Sequence, residues 1–107
     1  MMSSMNCSRN DIILLPIPFT DLTSRKVRPA IVLGKTGADL FLVPISSVLA
    51  NTDFPLNDWR AAGLNVPSGI KAQIATVEEK LAVKIIGKLA PSDTGILDTH
   101  LRIWLNL

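Results

Sequence analysis

The sequence is short of the residues that most often build a reactive centre. Among 107 residues there is one cysteine, Cys7, and one histidine, His100. A single thiol excludes an internal disulfide framework and any multi-cysteine zinc site. His100 sits in a stretch with helical spacing, beside its apolar stripe, where a half-exposed helix residue is the expected role. The pair Glu78-Glu79 has no partner histidine and no third carboxylate, so it reads as a solvated turn rather than a metal site. No metal and no cofactor are expected. The GxSxG elbow, the P-loop and HExxH are all absent. No apolar run approaches the ~20 residues that span a bilayer. The leading "MMSSMNCSRN" has neither the apolar core nor the cleavage pattern of a signal peptide. These absences predict a soluble cytoplasmic protein with no membrane partner.

What is present is apolar. Hydrophobic residues make up 48% of the chain and the mean hydropathy is +0.34. So short a chain exposes much of its surface, which assigns the excess to a subunit interface, that of a symmetric homodimer. The net charge is only +2, with a pI of about 9.0. That balance permits an anionic partner without requiring one. The length fits one domain, residues 10–107, behind a loose N-terminal tail, residues 1–9.

Along the chain, "DIILLPIPF" reads as a strand. Pro16 and Pro18 remove ladder donors and push its second half to an edge or an exit. After the polar loop "TDLTSRKV", the runs "PAIVLG" and "LFLVPI" flank a Gly-containing turn and read as a β-hairpin. "LNDWRAAGL" predicts one or two helical turns, with Asn57 as N-cap and Gly63 as stop. "GIKAQIATV" and "KLAVKIIGKL" read as two more strands. In "PSDTGILDTHLRIWL", Leu97, Leu101, Trp104 and Leu105 recur at helical spacing behind the start signal Pro91-Ser92. Five or so strands, a short helical insert and a closing helix make a small α+β barrel or half-barrel.

One stretch stands apart. In "SRKVRPAIVLG" three positive charges fall within the four residues ending at Arg28, at the doorway of a buried strand. The hairpin sets the start of this strand beside the end of the next, so Arg28 and Ser46 are expected as neighbours. Two readings are open: a charged turn that keeps a strand end wet, or a guanidinium and a hydroxyl that grip a phosphate.

The order of these segments resembles the MazF/PemK toxin family. Asp11-Ile12, Arg28-Pro29 and "AIVLG" fill the places of that family's opening strand, Arg-Pro step and apolar strand. "LFLVPISS" resembles its strand ending in Pro-apolar-Thr-Ser. "DWRAAGLNVPSGIKAQIATV" resembles the PemK-like middle, and "KIIGKL" and the closing helix also match. The resemblance implies an SH3-like β-barrel of the CcdB/MazF kind with a C-terminal α-helix. It implies a homodimer, a cognate antitoxin, and contact with DNA only through that antitoxin. It further implies metal-independent, sequence-specific cleavage of single-stranded RNA. The ribose 2′-OH attacks its own phosphate and leaves 2′,3′-cyclic phosphate and 5′-OH ends. The catalytic pair carries over to Arg28 and Ser46. Thr23, Ser24, Lys26, Ser47, Lys71 and Gln73 are the RNA-binding candidates, the lysines for phosphates and Thr23, Ser24 and Gln73 for base edges.

Three positions depart from the family pattern. Ser46 stands where the family has threonine and lacks the methyl that restricts its rotamers, which predicts a less well-held donor and slower cleavage. Asn10 replaces a glycine. The long loop holds Thr23, Ser24, Arg25 and Lys26 instead of Gly and acidic or amide residues, so no target sequence carries over. The rival readings are a CcdB-like gyrase poison acting through the Trp-bearing end "RIWLNL", and a member that binds RNA without cutting it.

Overall fold

The structure is a computed structural model and describes residues 5–16 and 26–107. Among the described residues seven strands form one antiparallel sheet: β1 (Asp11–Pro16), β2 (Val27–Thr36), β3 (Asp39–Ser46), β4 (Phe54–Pro55), β5 (Gly69–Ile70), β6 (Ala75–Glu78) and β7 (Lys84–Lys88). The α-helix α1 (Pro91–Leu105) follows. The strand order is β4-β5-β3-β2-β1-β7, with β6 also paired to β3. The small barrel-like α+β architecture expected from the sequence is present, with the sheet left open rather than closed.

β1, β2 and β3 are buried on both faces, which explains why they read as near-continuous apolar runs. Ile12, Ile31, Val43 and Ile45 face one core, shared with Leu97 and Leu101 of α1. Ile13, Leu15, Ala30, Val32 and Leu42 face the other. Part of the apolar content assigned to an interface is therefore used inside the chain. The β2–β3 hairpin turns at Gly37, whose φ of +58° is the left-handed conformation that a two-residue turn needs.

Several expectations are corrected. "GIKAQIATV" is two strands, because Ala72 N–H is captured by Asp53 Oδ2 at 2.7 Å and the chain bends between β5 and β6. Glu79 is no solvated turn: it is 8% exposed, and its Oε2 accepts from Cys7 N–H at 2.9 Å and from Lys35 Nζ at 3.0 Å. Residues 5–9 are accordingly docked rather than loose, with Cys7 buried in the second core. "LNDWRAAGL" forms a single irregular turn, with Ala62 N–H on Asp58 O and Leu64 N–H on Trp59 O. Asn57 does not cap it. Instead Asn57 N–H and Asp58 N–H donate to the two carboxylate oxygens of Asp93, at 2.8 and 2.9 Å. Asp93 is fully buried in the first turn of α1.

α1 starts with Pro91 at its first position, as the start signal predicts. Leu97 and Leu101 are buried and Trp104 packs on the core, whereas Leu105 is 52% exposed. His100 is part-buried: it stacks on Phe54 at 3.9 Å between ring centroids and its Nδ1 lies 2.9 Å from Ile96 O. Among the described residues no helix is long and apolar enough to cross a membrane.

Candidate active site

β2 and β3 run antiparallel with Ala30 opposite Pro44. Two residues further along, the same register brings Arg28 level with Ser46, at the end of the sheet. Both residues line one cleft of about 320 Å³. Arg28 is exposed, and among the described residues its guanidinium has no hydrogen-bond or ion-pair partner. Ser46 is held differently. Its Oγ accepts from Val48 N–H at 3.0 Å, in a turn that ends β3. That bond fixes the oxygen and leaves the O–H free to donate outward. It supplies the rotamer restraint that the missing methyl would otherwise provide. Ser47 also lines the cleft. β3 ends at Ser46 and the backbone bends at Ser47, so strict alternation of faces stops there.

The floor is apolar, built by Leu14, Pro29 and Ile45. Ile86 joins them because the β1–β7 register slips between Ile12 and Ile13, leaving Ile86 as the extra residue of a bulge. Bulges commonly re-aim a side chain in this way.

The opposite wall is the loop 57–67. Its ends are tied by Leu56 N–H to Ser68 O at 2.9 Å, continuing the β4–β5 pairing. Inside it, Gly63 adopts φ +94° and lies back to back with Gly87 of β7, where a Cβ on either would overlap the other segment's carbonyl. Buried Ala62 and Leu64 anchor the loop in the core, and the Asp93 carboxylate holds its start. Gly63, Leu64, Asn65, Val66 and Ser68 then face the strand ends across the cleft.

Of the residues singled out from the sequence, Arg28, Ser46 and Ser47 are brought together. Lys26 is exposed just ahead of β2. Lys71 and Gln73 do not line the cleft. Lys71 N–H bonds Pro44 O at 3.1 Å, and the chain then runs along the β3 edge towards β6. Thr23 and Ser24 lie outside the described residues. The wall loop was missed: its Asn-Val-Pro-Ser-Gly composition reads only as a loop, and the contact that places it, Gly63 on Gly87, spans distant parts of the chain.

Chemically, a planar and permanently charged fork beside a restrained hydroxyl can hold a tetrahedral or trigonal-bipyramidal phosphorus centre. The described residues that line the cleft include no histidine and no carboxylate. Among the described residues no group of three histidine, cysteine or acidic side chains could hold a metal ion. A larger groove of about 460 Å³ lies elsewhere, between the end of α1 and the β2–β3 hairpin. It is mostly apolar, and its one carboxylate, Asp98, is paired with Arg9 at 2.8 Å. Arg102 also lines it, but no described serine or threonine hydroxyl stands beside that guanidinium, so it lacks the pairing of fork and hydroxyl found in the smaller cleft.

No protein-family model matches the chain, and no curated protein sequence matches it significantly. Solved structures do match over almost its full length. One is an endoribonuclease in complex with its cognate antitoxin, from a mycobacterial species: 15% identity, 96% of this chain and 97% of that chain covered, TM-score 0.71. Another is the toxin MazF-mt6 of Mycobacterium tuberculosis: 18% identity, 91% and 97% covered, TM-score 0.71. The fold is therefore that of MazF toxins.

Proposed function

We propose that this protein is the toxin of a toxin–antitoxin pair, a MazF/PemK-like endoribonuclease that cuts single-stranded RNA at preferred sequences without a metal ion. One observation carries the reading: the guanidinium of Arg28 and the restrained hydroxyl of Ser46 share one cleft. They do so on a fold whose structural neighbours include an endoribonuclease bound to its antitoxin.

In the reaction a ribose 2′-OH attacks the adjacent phosphorus, a P–O bond to the 5′-oxygen breaks, and a 2′,3′-cyclic phosphate and a 5′-OH remain. Arg28 binds the non-bridging oxygens and stabilises the charge that grows in the phosphorane. Ser46 donates its O–H to the same group. The described lining holds no side chain suited to be a general base or acid, so the 2′ proton passes to water and the departing 5′-oxygen takes a proton from water, and alignment and electrostatics supply the acceleration. The chain acts as a homodimer in the cytoplasm, where RNA is met. Its second partner is an acidic antitoxin segment that covers the cleft, and DNA is met only through that partner.

The test is incubation of purified protein with single-stranded RNA in EDTA. New fragments with 5′-OH ends support the nuclease. Intact RNA together with stalled gyrase supports the protein-binding poison instead, and intact RNA that stays bound supports a non-cutting RNA binder.

A further inference from the structure

Resting on the nuclease reading, we propose that Asn65 reads one base beside the scissile phosphate, making the wall loop 57–67 the sequence-selecting element of the cleft.

The cleft has two unlike sides. The strand ends offer Arg28, Ser46 and Ser47, all suited to phosphate and sugar, which carry no sequence information. Across from them, Gly63, Leu64 and Val66 bring no polar side chain. Ser68 is buried and its Oγ donates to Val66 O at 2.9 Å, so its hydroxyl is spent inside the loop. Asn65 is left as the polar side chain of this wall that is exposed to the cleft. Its amide makes no hydrogen bond to any described residue. An amide offers a donor and an acceptor side by side, the pattern that pairs with an unstacked base edge.

Position alone would not make a reader; the side chain must also be held. Three constraints hold this loop. Gly63 and Gly87 touch through their backbones with no room for a Cβ. Leu64 N–H bonds Trp59 O at 3.1 Å, and its side chain is buried in the core. Asp93 clamps Asn57 and Asp58 from below. The backbone bearing Asn65 is thus fixed relative to Arg28, so a base bound at Asn65 keeps a set distance from the phosphate being cut. At about 320 Å³ the cleft is at the small end of ligand pockets, with room for one nucleotide rather than a run of them. Its apolar floor gives the flat face of that base a surface to lie on.

The test compares cut sites in a randomised single-stranded RNA library, in EDTA, mapped from the 5′-OH ends. Wild type, Asn65→Ala and Asn65→Asp are run in parallel, with thermal unfolding of each as the folding control. Asn65→Ala is expected to slow the preferred site about tenfold or more and to flatten the preference at one position next to the cut, leaving other positions as they were. Asn65→Asp keeps the shape but exchanges a donor for an acceptor. It is expected to shift that same position towards guanine, whose N1–H and N2–H lie side by side. Unchanged base preferences in both variants overturn the proposal. So does a rate loss spread evenly over all sequences, which a purely structural residue would give. A wild type that cuts with no base preference also overturns it while leaving the nuclease reading intact. A wild type that leaves the library whole ends both.

Discussion

In the proposed reaction Arg28 and Ser46 contribute unequally. Arg28 supplies a fixed pair of charged donors and Ser46 a single neutral one. Arg28→Ala is expected to abolish cleavage with the fold intact, because the side chain is exposed and has no hydrogen bond or ion pair with any described residue. Arg28→Lys is expected to fail as well, since a point charge does not replace a planar fork. The check is single-turnover cleavage beside a thermal melt; a lysine variant near the wild-type rate would sink the forked-phosphate idea. Losing one oxyanion-type donor costs about a hundredfold or more in rate. Ser46→Ala is therefore expected to be slow rather than dead, with little change in RNA affinity. The sequence alone predicts that Ser46 is less well held than a threonine and cuts more slowly. The Val48 N–H bond changes that expectation, since it already fixes the oxygen. Ser46→Thr should then cut at about the wild-type rate, and a large gain would mean that the turn does not restrain the serine.

At the level of elements, the glycine contact beneath the wall loop is the most exposed to error by substitution. A methyl on Gly87 would overlap the carbonyl oxygen of Ala62, a backbone atom that cannot rotate away. Overpacking of this kind typically costs ~1–3 kcal/mol. Gly87→Ala is expected to lower the unfolding midpoint and to displace the loop, so cleavage should fall more than stability does. Urea titration with a cleavage assay on the same samples separates the two. The docked N-terminal segment makes a different prediction, of pH dependence. Cys7 N–H and the Lys35 ammonium favour the charged form of Glu79 and hold its carboxyl below the ordinary value of 4.5. A depressed carboxyl contributes stability above the unfolded value and loses it as pH falls through the folded one. Glu79→Gln should therefore be less stable than wild type at neutral pH, by an amount that stays constant down to about pH 4.5 and shrinks below it. Burial first, then the nearby Glu79 charge, raises the Cys7 thiol above its ordinary value. Alkylation of Cys7 at neutral pH should be slow in the wild type and faster in the glutamine variant. A wild-type rate in that variant would mean that Glu79 does not latch the segment.

On the scale of the whole molecule, the central hairpin and the Arg28–Ser46 approach were legible in the sequence, because both follow from local pattern. Two apolar runs around a glycine turn force antiparallel pairing, and the pairing sets which ends meet. The rest depends on contacts between distant segments, which no local pattern carries. Glu79 looks solvated until Cys7 and Lys35 arrive from elsewhere, and Asp93 looks like an ordinary first-turn acid until the loop at 57–58 folds onto it. The same distinction bears on assembly. Burial of β1–β3 on both faces absorbs much of the apolar composition, so composition alone is a weaker argument for a dimer than it first looks. Surface position is the stronger one. Phe41 and Ile74 are 37% and 41% exposed beside the groove at the end of α1, and Leu105 and Leu107 on its rim are 52% and 80% exposed. Apolar side chains gathered along one groove favour a matching face, and a second copy related by a two-fold axis offers the same side chains in return. Leu105→Glu puts a charge into that contact without touching the buried stripe of α1, since Leu97 and Leu101 carry the packing. The wild type is expected to sediment as a dimer at micromolar concentration, and Leu105→Glu as a folded monomer that still melts cooperatively, at a lower midpoint because it has lost the stabilisation of association. A wild type that sediments as a monomer rejects the dimer outright, while a glutamate variant that stays dimeric moves the interface away from this groove.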